Sequence, residues 1–289
     1  MPTASPTSTW RAIRRASGER KIARWLALAL AALLLVLVLL WQGEYWAGLW
    51  QRDVAWERIQ RDGLLRVGMD ASYPPFEVVT DDGEFFGLDV DLARALGERW
   101  GVEVVMVNVH FDGLYDALRT NKFDLIISAL PYDRTMTRDL RYSQSYFDAG
   151  QVLLMSADRA DVEDIRDLRG ESDAPISIAV ELGAEGHHLA RKLYRDQGLP
   201  LEVLPQREMD EAVALLRSGE ADGLICDRVT AYELLREHGD LRIAGPPLTS
   251  EPLVIAALID APTLMEQVNA ALNEWRADGT LEALRARWF

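Results

Sequence analysis

Apolar and polar positions alternate between Leu65 and Met69, with Leu65, Val67 and Met69 separated by Arg66 and Gly68, the period of a half-buried strand. The alternation stops at Asp70-Ala-Ser-Tyr-Pro-Pro-Phe76, where two successive prolines forbid both a helix and a central ladder position. Asp70, Tyr73 and Phe76 are therefore predicted to sit on a loop at a strand's carboxyl end. Asp81-Asp82-Gly83 is turn chemistry. From Gly87 the spacing becomes helical, with Val90, Ala93, Leu96 and Trp100 on one face and Gly101 as terminator. Asp89 and Asp91 fall in the first turn of this predicted helix, 88–100, where the macrodipole favours negative charge. A β-rich run follows over 102–109. Phe111 then precedes Asp112, a predicted N-cap for a helix through Arg119. Phe123 to Ser128 is almost wholly apolar at its centre, as in a parallel strand covered on both faces.

The same rhythm returns after a crossing near 146–154. Helices are predicted at 162–168, 185–197, 209–218 and 228–237, and strands at 176–180, 201–204, 222–226 and 241–244. Gly245-Pro-Pro-Leu-Thr-Ser-Glu-Pro252 holds three prolines and reads as a stiff connector, before a strand at 253–259 and helices at 262–277 and 279–287. Strand and helix alternating in this way predict an α/β fold. Ligands of open α/β sheets bind beyond the strands' carboxyl ends, which makes the aromatic loop at Asp70 a candidate site.

The N-terminal pattern is different. Residues 2–9 are Pro, Thr, Ser and Ala, followed by Arg11, Arg14, Arg15, Arg20, Lys21 and Arg24. Trp25 to Trp41 is then a run of 17 uncharged apolar residues bracketed by tryptophans, near the lower limit for a membrane span. Cations before it and acids after it orient the N-terminus to the cytoplasm and the body outside. A cleaved signal peptide is the rival reading, but Trp-Gln-Gly-Glu-Tyr-Trp after Leu40 lacks a good Ala-x-Ala, so an uncleaved anchor is favoured. Residues 44–63 place Trp46, Leu49, Trp50 and Trp56 at helical spacing, either as a stalk at the membrane interface or as a helix on the flank of the body. The predicted organisation is a basic tail (1–24), an anchor (25–42), a stalk (43–62) and an α/β body beyond it.

Composition narrows the function. The first 50 residues carry a net +4, so the rest must carry −19 to reach the formal −15. An acidic body repels phosphate backbones, which argues against a nucleic-acid partner. One cysteine, Cys226, permits neither an internal disulfide nor a Cys-based zinc site, and it sits in an apolar strand pattern as buried filler. His187 and His188 are adjacent and point about 100° apart on a helix, so they cannot share a metal. Glu181, Glu185 and His188 can be drawn together on paper, with solvated surface as the competing reading. No cofactor fingerprint is present.

The run from Leu65 to Leu92, with His110-Phe-Asp-Gly-Leu114, Phe123-Asp-Leu-Ile-Ile-Ser128 and Ser143-Gln-Ser-Tyr-Phe147, resembles bacterial extracellular solute-binding proteins of family 3. The resemblance runs from about Gly63 to the C-terminus. It implies the two-lobed type II periplasmic-binding-protein (Venus flytrap) fold, here with a first lobe (63–149), a hinge crossing (150–154), a second lobe (155–245) and a return to the first lobe (246–289). It also implies closure of the lobes on a small polar ligand, and an ABC-transporter permease as partner. It also implies site residues. Tyr73 and Phe111 match the rings that sandwich the ligand, where an aromatic face attracts an ammonium or guanidinium; plain core is the other reading for Phe111. Asp70 matches a carboxylate that contacts basic side chains, with a solvated turn acid as its alternative. Asp227, after an apolar strand, matches the lobe-two carboxylate that pairs with an α-ammonium; it can also cap the helix from Arg228.

The departures from that family pattern are as informative. The arginine expected eight residues after Ser128, which grips a carboxylate bidentately, is Met136 here, with Arg134 and Arg138 on either side. Nearby hydroxyls are replaced by Ala129 and Pro131. The lobe-two anion turn reads Gly183-Ala-Glu-Gly186, with Glu185 where a hydroxyl would sit. A buried anion without its arginine is costly, so a cationic or weakly charged ligand is expected, amino acids included. Two rivals stand beside a binding protein. One is a cyclohexadienyl-dehydratase-like enzyme with Glu185 as acid; the other is a sensor signalling through the membrane helix, for which about 24 preceding residues are too few for a usual output domain.

Overall fold

The structure, a computed structural model, describes residues 53–167 and 175–289. The basic tail, the expected anchor at 25–42 and the first part of the expected stalk lie outside these residues. Among the described residues no helix is long and apolar enough to cross a membrane.

The chain begins with α1 (Val54–Asp62) and β1 (Leu64–Met69), then a small meander of β2 (Ser72–Tyr73), β3 (Glu77–Val79) and β4 (Phe85–Phe86). α2 (Leu88–Trp100), β5 (Glu103–Asn108), α3 (Leu114–Arg119), β6 (Leu125–Ile126) and β7 (Leu140–Tyr142) complete the first pass. β8 (Phe147–Asp148) and β9 (Gln151–Ser156) lead into the second: β10 (Ile176–Glu181), α4 (Glu185–Gln197), β11 (Leu201–Gln206), α5 (Met209–Ser218), β12 (Gly223–Asp227), α6 (Arg228–Glu237) and β13 (Leu241–Ala244). The chain returns through β14 (Pro252–Leu253) and β15 (Ala256–Leu258) to α7 (Pro262–Asp278) and α8 (Thr280–Trp288).

Two five-stranded sheets result, ordered β5-β1-β6-β15-β7 and β11-β10-β12-β9-β13. Each has three parallel strands, and each is extended by antiparallel strands that adjoin the crossings. The apolar runs that fill them are buried on both sides by helices, so each sheet has its own core. The two lobes meet where β8 pairs with β14. Residues 150–154, expected as the crossing itself, run instead into β9 in the middle of the second sheet, and the paired β8 and β14 carry the crossing. There the two strands run so close that a β-carbon on Gly150 would collide with the Thr249 carbonyl.

Of the two readings of residues 44–63, a helix on the flank of the body describes the second half, and two other expectations are corrected. The second half of the stalk, Val54–Asp62, belongs to the first lobe: Ile59 is fully buried, Trp56 meets Trp100 edge-on at 5.1 Å, and the Asp53 carboxylate both caps α1 and accepts the Leu264 N–H at 2.7 Å. Asp112 caps no helix. Phe111–Gly113 is a 3₁₀ turn, α3 starts after it, and the Phe111 N–H is taken from across the sheet by Asp70 at 2.8 Å. The helix expected at 162–168 is a 3₁₀ turn at Ile165–Asp167, because the carboxylates of Asp167 and Asp164 accept the N–H groups of Glu163 and Arg166 and compete with helical bonding.

Candidate ligand-binding site

β1 delivers Asp70 to the edge of its sheet, and Asp70 then ties two loops together. Its Oδ2 accepts the Phe111 N–H at 2.8 Å and its Oδ1 accepts the Ser72 hydroxyl at 2.7 Å. Its own N–H donates to Ser128 Oγ at 2.9 Å, and that hydroxyl donates to Glu77 Oε1 at 2.8 Å. The rings these loops carry stand out of the wall: Tyr73 is 49% exposed and Phe111 40%. Both rings line the same cavity, so their open surface is gathered where a ligand would cover it. Tyr73 lies on Phe76 at 5.5 Å with an interplanar angle of 8°.

Beneath this wall is a buried carboxyl pair. Glu77 is 1% exposed and Asp89 fully buried. Asp89 Oδ2 accepts the Ala129 N–H at 2.6 Å and the Tyr146 hydroxyl at 2.9 Å, while Asp89 Oδ1 and Glu77 Oε2 are left without other partners. Burial, and then the Asp89 carboxylate, push the Glu77 carboxyl up to about 11. Burial also raises Asp89, to about 6, opposed by the bonds from Ala129, Glu77 and Tyr146. Two carboxyl groups in one dry site cannot both ionise, so Glu77 keeps its proton and donates it to Asp89, which satisfies both orphaned oxygens. The arrangement holds Ala129 at a φ of 39°, an uncommon conformation for a residue with a side chain.

The facing wall comes from the second sheet. Asp227 ends β12 and caps α6, accepting the Thr230 N–H at 2.9 Å and its hydroxyl at 2.7 Å. Glu181 ends β10, and Ala184, Glu185 and Gly186 open α4. Gly186 packs against the Ile225 carbonyl, where a β-carbon would not fit, and so brings the start of α4 up to the end of β12. Between the walls is a cavity of about 550 Å³, closed at the crossing by Ala149, Gln151, Glu251 and Leu253. It is lined by the carboxyl groups of Asp70, Glu77, Glu181, Glu185, Asp227 and Glu251; among the described residues no arginine or lysine lines it. The Tyr73 hydroxyl is raised by burial and by the Asp227 carboxylate facing it. Among the described residues no group of three or more His, Cys, Asp or Glu is placed to hold a metal.

A two-lobed α/β molecule with an aromatic and acidic cleft at the strands' carboxyl ends agrees with what comparison with known proteins finds. Residues 65–289 match the profile of bacterial extracellular solute-binding proteins, family 3. The chain belongs to that family. Among curated members, the L-cystine-binding protein TcyJ of Escherichia coli K12 is 27% identical over 237 residues, covering 80% of this chain and 85% of that protein. Among solved structures, an ancestral cationic amino acid solute binding protein is 31% identical with a TM-score of 0.58, covering 81% of this chain and 98% of the other. An ancestral cyclohexadienyl dehydratase is 25% identical with a TM-score of 0.69, covering 82% and 96%.

Of the positions that the family resemblance singles out, Asp70, Tyr73, Phe111, Ser128, Ala129, Pro131, Glu185 and Asp227 line the one cavity. Phe76 does not. It is fully buried, meets Phe147 and Phe289 at 5.2 and 5.3 Å, and supports Tyr73 from behind. Met136 is also elsewhere: it ends a 3₁₀ turn capped by Asp133 and packs on the cluster around Leu114 and Phe123. Arg134 and Arg138 are exposed and outside the cavity lining. Sequence reasoning missed Glu77, Gln151 and Glu251, and weighed Glu181 only as a cluster with Glu185 and His188 rather than as a wall of the cleft. Gln151 had a signal, a single polar residue heading the apolar run Val152–Met155. Glu77 had none beyond following the aromatic loop, since its partner Asp89 lies across a hairpin.

Proposed function

We propose that this family 3 protein is an extracytoplasmic receptor that closes around a small amine-bearing ligand, an amino acid or a relative of one, and presents it to an ABC-importer permease. The observation that carries the reading is the cavity's lining: acids on both walls, two open aromatic rings, and no arginine or lysine among the described residues. Ammonium or guanidinium groups are what carboxylates and aromatic faces jointly attract. The likeness to an ancestral cationic amino acid solute binding protein supports the same ligand charge. Asp227 meets an ammonium, Tyr73 and Phe111 flank it, and Asp70 sets the loops that carry the rings. The apolar run at 25–41 tethers the protein with its N-terminus in the cytoplasm; tethering keeps the receptor at high effective concentration beside its permease.

A thermal-shift screen of the purified full-length chain against amino acids and amines tests this. A ligand at about a hundred times its dissociation constant adds roughly 2.7 kcal/mol, a visible shift. Shifts with amines and none with uncharged or acidic solutes are expected; a response confined to acids would refute the reading. The likeness to a cyclohexadienyl dehydratase, with Glu185 in the cavity wall, favours one second reading. In that case incubation with prephenate releases an aromatic product, measured by absorbance. A wall without a cation to receive the substrate's carboxylates argues against it.

A further inference from the structure

Ligands of amino-acid type bring a carboxylate as well as an ammonium, and a cleft must answer both. Three devices could answer the carboxylate here, and each is either missing or set beside a carboxylate of the wall itself. Position 136 holds a methionine turned into the lobe-one core, and the neighbouring Arg134 and Arg138 are exposed outside the cavity. The turn before α4 spends the N–H groups of Gly183 and Ala184 internally, on His187 Nδ1 at 3.0 Å and on the Glu181 carbonyl, which leaves the N–H groups of Glu185 and Gly186 at the helix start. The first residue of α4 that faces the cavity brings a carboxylate of its own, Glu185. The hydroxyl side of the lobe-one wall is Ala129 and Pro131, with the Ser128 hydroxyl already committed to Glu77.

A second observation points to a polar ligand at this wall independently of these charges. Gln151, 5% exposed and set in the cavity wall at the crossing, buries an amide oxygen that has no hydrogen-bond partner among the described residues. A buried amide is completed by a polar ligand group, an N–H on its oxygen or, with the amide turned over, an acceptor on its nitrogen. The acids, moreover, are distributed rather than gathered: Asp70 on the first wall, Glu181, Glu185 and Asp227 on the second, and Glu251 at the crossing. A ligand with one positive end leaves the rest of them facing one another unneutralised, whereas one with a positive group at each end meets acids wherever it lies.

We propose that the cleft selects an aliphatic dication without a carboxylate, a diamine, polyamine or guanidino-amine, over the basic amino acid with the same side chain. This inference rests on the amine-binding reading above and narrows it. Isothermal titration calorimetry of the full-length chain with three matched pairs tests it: agmatine against arginine, cadaverine against lysine, and putrescine against ornithine. The members of each pair differ only in the carboxylate. In every pair that binds, the amine is expected to bind at least tenfold more tightly, and Asp227→Asn, which keeps the helix cap while removing the charge, is expected to weaken it by a similar factor. Should the amino acid equal or exceed its amine while Asp227→Asn weakens both, the dication inference is overturned and the amine-binding reading stands. Silence from all six compounds, or binding indifferent to Asp227→Asn, overturns both.

Discussion

On the lobe-one wall every carboxyl group is held by hydrogen bonds, Asp70 by Ser72 and Phe111, Glu77 by Ser128, Asp89 by Ala129 and Tyr146, whereas on the lobe-two wall Glu181 and Glu185 stand half or fully exposed and only Asp227 is tied down. The first wall spends its acids on shape. They fix two loops, and the loops present two rings. The second wall spends its acids on charge, with strand ends and a helix start bringing carboxylates to the cavity while leaving them free for an incoming cation. A receptor that closes by hinge motion gains from this division. One face is organised before the ligand arrives, which lowers the ordering cost of binding, and the other supplies the attraction that makes closing worthwhile.

The largest expected effects test that division directly. Truncating one partner of a desolvated charge pair costs about 2–5 kcal/mol, so Asp227→Ala should weaken amine binding by roughly a hundredfold or more. It should also lower stability by about 1 kcal/mol through loss of the α6 cap. Asp227→Asn separates the two, keeping the cap and losing the charge. Asp70→Asn should do the reverse, costing about 1–2 kcal/mol of stability through weakened loop ties and only about tenfold in affinity. Calorimetry and thermal melting of the three variants measure both quantities. If Asp70→Asn weakens binding more than Asp227→Asn does, the first wall is where charge is read and the comparison is inverted.

This asymmetry was only half visible in the sequence. Elements were legible where apolar spacing was periodic and a glycine closed the run: α2, α4, α5 and α6 fall where the pattern put them, with Gly101, Gly198 and Gly219 in the left-handed conformation after the first three. Asp227 was legible from the family resemblance and from its place directly after an apolar strand, a place that also suits the helix cap it forms. What local pattern could not supply was direction. An aromatic residue after two prolines can face either way, and Phe76 turns inward because Phe147 and Phe289, distant in sequence, offer it an apolar bed. Met136 was reached by counting from Ser128, and a count says nothing of where a side chain points. Asp89 looked like a helix-dipole residue; its partners Glu77, Ala129 and Tyr146 come from three other segments. The buried network under the first wall is a tertiary fact.

That network predicts an effect of intermediate size. A carboxyl raised in the folded chain binds more protons folded than unfolded, so stability falls as pH climbs from the ordinary carboxyl value of 4.5 toward about 11. Glu77→Gln keeps a donor for Asp89 and an acceptor for Ser128 but has no proton to lose. The variant should match the parent near pH 5 and exceed it by about 1–3 kcal/mol near pH 9, read from melting across that range. The separate loss from Asp89, between its ordinary value of 3.8 and about 6, should persist in both proteins. An unchanged slope in Glu77→Gln would mean that the pair does not share a proton, and the first wall would then need another explanation for its two orphaned oxygens.

The smallest effects belong to the rings. A cation over an aromatic face contributes about 0.5–2 kcal/mol, depending on how dry the site is. Phe111→Leu keeps the apolar bulk and discards the face, so amine affinity should fall by roughly threefold to tenfold with little change in melting temperature, since the ring is 40% exposed and contributes little packing. Tyr73→Leu should cost more in both respects, because its ring also stacks on Phe76. The contrast with an uncharged ligand of similar shape is the sharper test. If Phe111→Leu weakens a neutral analogue as much as an amine, the ring acts by burial alone. Recognition of the positive charge would then fall to the carboxylates, most of them on the opposite wall.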